Sequence, residues 1–134
     1  MTTSIQLLRP SGLVASPAFS HVAVLPPNAT QIIVGGQNGV DGEGRLVSDD
    51  IVAQVEQTMA NLSTALQAAG ATTADLVSLT VFLAEGADIR AGYAAAARQL
   101  PVGDGAPLVT AAIVSALGVP GALVEVAAVA AVVR

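Results

Sequence analysis

Apolar residues recur every three or four positions from Ile51 to Leu66, then crowd together from Leu76 to Leu83. In the first segment Ile51, Val55, Met59, Leu62 and Leu66 fall on one stripe, while Gln54, Gln57, Asn61 and Thr64 lie off it. That spacing predicts a helix from about Asp49 to Ala69. Ser48 or Asp49 can cap it, and Asp49 and Asp50 put negative charge at the positive end of its dipole. Gly70 stands where a left-handed C-cap is wanted. Asp75–Leu83, carrying Leu76, Val77, Leu79, Val81, Phe82 and Leu83, is short and apolar enough for a strand. A helix with one apolar face implies a sheet for it to cover.

The other segments extend this picture. Thr3–Leu8 alternates weakly, as an edge strand does, and Arg9-Pro10-Ser11-Gly12 is a turn. Leu13–Ser20 reads as a loop and His21–Leu25 as a short strand. Pro26-Pro27-Asn28-Ala29 is turn chemistry, and Gln31–Val34 is the next strand, so the two strands are expected to form a hairpin. A glycine-rich turn runs from Gly35 to Gly44. Asp88 can cap a second helix whose apolar face is Ile89, Tyr93, Ala96, Ala97 and Leu100. After a loop over Pro101–Pro107 come a strand at Leu108–Leu117, a turn at Gly118–Gly121 and a last strand at Leu123–Val133. The predicted order is β-β-β-α-β-α-β-β. With two helices against six strands, both helices can lie on one sheet face in an α+β arrangement, leaving the other face for neighbouring subunits.

Composition narrows the class. The 134 residues suit one domain. Hydrophobic residues make up 53% but aromatics only 2%, so the core must be aliphatic. The longest apolar run, Leu123–Val133, is broken by Glu125 and reaches about half a membrane span. The first residues lack a basic start and apolar stretch, so a cytoplasmic location is expected. Without cysteine there is neither a disulfide framework nor thiolate chemistry. The net charge is −5, and the five arginines are scattered, so nucleic acid is not an expected partner. An apolar excess with only 11% charged residues predicts an obligate oligomer.

Candidate chemistry is sparse. The turn Gly36-Gln37-Asn38-Gly39 is separated from the helix by polar loop and has no lysine, so it reads as a wide turn rather than a phosphate cradle. Ser20 and His21 are adjacent, and on a strand they would point to opposite faces, so His21 reads as structural. No pattern of His, Cys or carboxylates suits a metal. Glu125 lies in an otherwise apolar strand, where an ionised carboxylate must be paired or face a cleft. It is weighed equally as a site residue and as an ordinary exposed position. Thr110 and Ser115 are the other isolated polar candidates near strand ends.

These residues together carry a resemblance. Phe19-Ser20-His21, Val34-Gly35-Gly36-Gln37, Ile51-x-x-Gln54, Asn61-Leu62, Ala68-Ala69-Gly70, Asp75-Leu76-Val77, Thr80-Val81-Phe82-Leu83, Pro107 and Leu123-Val124-Glu125-Val126 resemble the Rid (YjgF, reactive-intermediate deaminase) family. Many of its members carry the label endoribonuclease L-PSP. The resemblance spans nearly the whole chain. It implies a chorismate-mutase-like α+β fold with a six-stranded mixed sheet and two helices on one face. It also implies a homotrimer with a small-molecule cleft between subunits. Active members hydrolyse imines and enamines of 2-oxo acids, releasing ammonia, with no metal or organic cofactor. Carried over by position, Glu125 is the catalytic carboxylate that orients water. Phe19 replaces a Tyr and Gly35 a Ser, with Gln37 nearby in the same cleft segment. Val109 stands where the family's Arg grips the substrate carboxylate, and Thr110 follows it. Tyr93 falls at the position of an Asn on the second helix; a shifted register puts Arg90 there. The chain therefore resembles a divergent member that lacks the carboxylate-binding Arg. Three readings follow: a hydrolase for a relatively apolar imine or enamine, a trimeric small-molecule binding protein without catalysis, and, fitting least, an RNA-cleaving enzyme.

Overall fold

The structure, a computed structural model, describes residues 4–134. Its elements are β1 (Gln6–Leu8), β2 (Val22–Val24), β3 (Ala29–Gln37), α1 (Ile51–Ala68), β4 (Leu76–Ala84), α2 (Ile89–Ala97), β5 (Leu108–Val114) and β6 (Val124–Val133). The order is the one the hydrophobic pattern predicts, and the architecture is α+β, two helices packed on a mixed sheet. Thr3, where the first strand was expected to begin, lies outside the described residues.

The pairing departs from expectation in two ways. The six strands divide into a four-stranded sheet, in the order β3-β6-β4-β5, and a separate β1-β2 ribbon. A single bridge between Ser20 and Leu108 links the segment before β2 to the edge strand β5. The expected hairpin of the second and third strands is not formed: β2 pairs with β1 and β3 with β6, both antiparallel. Pro26 and Pro27 lie where that hairpin would turn, and neither has an N–H for a ladder. The last strand, β6, inserts between β3 and β4 and runs antiparallel to both, while β5 is parallel to β4.

Alternation along β6 divides its side chains. Val124, Val126, Ala128 and Ala130 are buried with Leu76, Leu79 and Leu83 of β4, Val34 of β3 and the α1 stripe Ile51, Val55, Met59, Leu62 and Leu66. Glu125, Ala127 and Val129 alternate with them and are half-buried. Within β3, Gly35 and Gly36 form a bulge, since the register shifts between Val34 and Gln37.

The start of α1 is capped by Asp50, whose carboxylate accepts from the Ala53 N–H at 2.9 Å, rather than by Ser48 or Asp49. Ser48 instead accepts from the Asp50 N–H at 2.9 Å, setting up the cap. At the far end Gly70 takes φ 77°, as its position predicted, and Arg134 donates to the Ala69 carbonyl at 2.8 Å.

Beside the apolar stripe α1 carries a buried polar line. Gln54 is 0% exposed; its amide donates to Ser48 O at 2.9 Å and Gly121 O at 3.2 Å, and its Oε1 accepts from Leu123 N at 2.8 Å. Asn61 donates to Asn38 O and Val40 O, and Asn38 donates to Val124 O. Side chains of α1 and of the glycine turn thus satisfy backbone groups that the turn cannot pair with itself. The turn lies hard against the helix: a Cβ on Gly39 would sit 2.7 Å from Gln54 Cα.

A Gly39→Ala substitution should therefore destabilise the fold by about 1–3 kcal/mol, the usual range for forced overpacking. Gly42, with nothing within 4 Å of its would-be Cβ, is the control. Gly42→Ala should stay within about 0.5 kcal/mol of the parent. Urea denaturation of the two variants side by side checks the difference.

Candidate functional site

A cavity of about 360 Å3 lies between the two helices and the sheet. Its floor is aliphatic: Val55 and Met59 of α1, Leu79 and Leu83 of β4, Val124 and Val126 of β6, all buried. Its far wall is the face of α2 formed by Gly92, Tyr93, Ala96 and Ala97, continued by Leu100. Small residues on that face leave the space open. Gly92 also lets the helices approach, since a Cβ there would meet Ile51 Cγ1 at 3.3 Å. Towards the mouth the lining becomes exposed, at Tyr93 and Val102.

Two further segments complete the wall. Val109 and Ala111 project from β5 on the same sheet face as Leu79 and Val81, opposite which they pair. Ala18 and Phe19 close the mouth from the long loop before β2. That loop is tied down at several points. The Gly103 N–H donates to Pro17 O at 2.8 Å, and the Ser20 N–H donates to Pro107 O at 3.1 Å. His21 Nε2 lies 2.7 Å from Val14 O, and its ring meets Phe19 edge-on at 5.4 Å between centroids. His21 therefore braces the loop that carries Phe19. The neighbouring Ser20 hydroxyl is buried and has no hydrogen-bond partner, so no Ser–His pair is assembled.

The candidate residues do not converge on one spot. Phe19, Tyr93 and Val109 line the cavity together. Arg90 is exposed and outside the lining, so Tyr93 is the residue that α2 presents to it. Glu125 alternates with the cavity-lining Val124 and Val126, which places its carboxylate on the opposite face of the sheet. There it lies over the β3 bulge: a Cβ on Gly36 would be 2.7 Å from Glu125 Oε2. Gly36 is thus the residue that makes room for the carboxylate, a fit that the sequence reading missed. Among the described residues the Glu125 carboxylate has no hydrogen bond or ion pair.

The remaining candidates stand outside the cavity lining. Gly35 is exposed in the bulge, and Gln37 folds back, its amide donating to Gly35 O at 3.2 Å. Thr110 is exposed and pairs with Thr80, whose other partner is Ala127, while Glu125 pairs with Phe82. Two strand spacings, roughly 10 Å, therefore separate Thr110 from Glu125, and Thr110 is not its donor. This second face is open. It carries Ile33, 76% exposed and paired with Val129, and further along Phe82, paired with Glu125.

Electrostatically the cavity is bare. No charged side chain lines it. Its polar side chains are Thr58, whose hydroxyl donates to Gln54 O at 2.8 Å, and Tyr93, whose hydroxyl has no partner among the described residues. Among the described residues no three His, Cys, Asp or Glu side chains group in a way that would hold a metal, and no helix is long and apolar enough to cross a membrane.

Residues 11–132 match the family described as Endoribonuclease L-PSP. No curated protein matches the chain. Among solved structures it is similar to a protein of unknown function of the Rid family from Yersinia pestis, with a TM-score of 0.79 and 27% identity over 96% of this chain and 98% of that one. It is also similar to a member of the YjgF family from Mycobacterium tuberculosis, with a TM-score of 0.65 and 28% identity over 96% of this chain and all (100%) of that one. RidA from an Antarctic Psychrobacter, at 24% identity and a TM-score of 0.68 over 98% of this chain and 97% of that one, shares the fold. The chain belongs to the endoribonuclease L-PSP family, the family of the Rid and YjgF proteins.

Proposed function

We propose that this chain is a small-molecule binding member of its family, holding an apolar ligand in the cavity under α2. The observation that carries this reading is Val109. It stands in the cavity wall at the position where the family resemblance calls for a carboxylate-gripping Arg, and no other cation lines the space. A carboxylate moved into such a site would lose its hydration without gaining a partner. The volume lies within the range of small-molecule sites. An RNA-cleaving role draws no support from an acidic chain with five dispersed arginines. The cytoplasmic setting expected from the sequence is part of this proposal.

A small neutral fluorophore whose emission responds to apolar surroundings, 1-naphthylamine, tests the reading. It should bind saturably at one site per chain, and Val109→Arg should weaken it at least tenfold by placing a charge in the wall. The parent should hydrolyse 2-iminopropanoate, generated in situ, no faster than buffer. Absence of saturable binding, or hydrolysis matching that of an Arg-bearing relative, would sink it.

Glu125 favours a second reading, imine or enamine hydrolysis on an apolar substrate. A half-buried carboxylate without a partner, lodged over a glycine, is suited to orienting a water for attack on a C=N carbon. Water would add to the carbon, its proton passing to nitrogen, and the C–N bond would break to give a carbonyl and ammonia. Because the cavity and Glu125 are on opposite faces, this chemistry needs a second copy to bring the two together. If any imine is turned over, Glu125→Gln should lower the rate by roughly two orders of magnitude. Thermal stability should barely change. An unaltered rate would make Glu125 structural.

The assembly is proposed to be a homotrimer, its subunits covering the open sheet face with Ile33 and Phe82. Light scattering at micromolar concentration should then give three times the 13.2 kDa chain mass, about 40 kDa. A mass of 13.2 kDa would contradict it.

A further inference from the structure

The cavity also carries information about what it would hold, and this inference rests on its being a ligand site. The floor is closed to polar groups. Thr58, 0% exposed, already donates its hydroxyl proton to Gln54 O, so it offers no donor to a ligand. The main-chain groups of β4 and β6 at the floor face their ladder neighbours. Of the lining side chains, the one whose hydroxyl proton is uncommitted among the described residues is Tyr93, 45% exposed at the mouth. A tyrosine hydroxyl both donates and accepts, and one that becomes buried usually finds a partner. A ligand that fills the space and shuts out water would supply that partner.

Size follows from volume. A 150 Å3 apolar cavity takes benzene, so about 360 Å3 corresponds to roughly ten to fifteen non-hydrogen atoms. Charge follows from the lining. Arg90 lies three residues before Tyr93 on α2, exposed and without an ion pair, but it does not reach the cavity wall. No charged side chain among the described residues lines the cavity to balance an anion, and the Glu125 carboxylate is across the sheet from any cation bound there.

We propose that the site takes a neutral, monofunctional molecule: an apolar body of about ten atoms on the floor, with one hydrogen-bonding group, such as a hydroxyl or carbonyl, held at the mouth by Tyr93. Tyr93 is then the residue that sets ligand orientation, and the aliphatic floor sets its size.

Three probes with one scaffold test this by displacing 1-naphthylamine: propylbenzene, phenylpropanol and phenylpropanoate. On the parent protein the alcohol should bind two- to tenfold more tightly than the hydrocarbon, the worth of one neutral hydrogen bond. The carboxylate should bind most weakly. Tyr93→Phe keeps the ring in the wall and should erase the alcohol's advantage while leaving propylbenzene unchanged. Circular dichroism confirms that the variant is folded. Equal binding of alcohol and hydrocarbon to the parent overturns the assignment of Tyr93, as does an advantage that survives Tyr93→Phe. Tightest binding of the carboxylate, abolished by Arg90→Ala, overturns the neutral class and makes Arg90 the anchor. The first two outcomes leave the cavity a ligand site. Failure of all three probes and of the fluorophore overturns the ligand site itself, and this inference with it.

Discussion

The buried amide of Gln54 is the constraint on which the rest of the structure depends. It makes three hydrogen bonds, to Ser48 O, Gly121 O and Leu123 N, and all three partners are backbone groups at places where the chain changes direction. Ser48 precedes the first helix, and Gly121 and Leu123 lead into the last strand. An unpaired buried amide or carbonyl costs about 1–3 kcal/mol, so these segments are held in one relative position. The position fixes how β6 enters the sheet, and the strict alternation of a strand does the rest. Val124 and Val126 must face the helices, and Glu125 must emerge on the other side. A glutamine in a helix thereby decides on which face the carboxylate appears.

What the sequence could reveal was whatever is encoded locally. The stripe from Ile51 to Leu66, the carboxylate at Asp88 and the glycine at position 70 act over one or two turns, so both helices could be read within a few residues of their bounds. Strand partners are set by contacts far apart in sequence. The two prolines before β3 look like a hairpin turn in isolation, but the free edge of β3 is taken by β6, about a hundred residues later. Gln54, too, falls off the apolar stripe, so the pattern alone does not mark it as buried. A clue was available: Gln54, Thr58 and Asn61 repeat at helical spacing beside that stripe, facing a glycine-rich turn with many backbone groups to satisfy. Of the site, Val109 could be located only through the family resemblance, two residues after Pro107. That Phe19, Tyr93 and Val109 share a cavity which Glu125 does not enter is a fact of sheet sidedness, and it follows only once β4, β5 and β6 are in register.

The sheet thus works as a partition. On one side is an enclosed, uncharged space; on the other is a half-buried carboxylate on an open face with apolar neighbours. One chain can bind on the first side or offer a carboxylate on the second, but it cannot apply both to one molecule. Catalysis by this fold is therefore tied to assembly in a way that binding is not. The aliphatic floor of the cavity depends on the same core that stabilises the domain, so it does not require a cation in its wall.

An apolar cavity open at one mouth costs the fold packing energy. At the empirical cost of about 24 cal/mol per Å3, a dry void of this size would cost on the order of 8 kcal/mol, comparable with the whole stability of a small domain. Access of water at the mouth lowers that figure, yet the aliphatic floor gives water few partners there. Larger side chains on α2 would remove the cost, and the space exists because that helix presents Gly92, Ala96 and Ala97 instead. Gly92 is needed for close contact with Ile51, while Ala97 is exposed at the rim. Filling by a neighbouring copy would explain a shallow apolar rim. It does not explain a space that reaches Val55, Met59 and Leu83 on the core side of the sheet. Apolar surface buried at that depth by any occupant would offset the cost of keeping the space open.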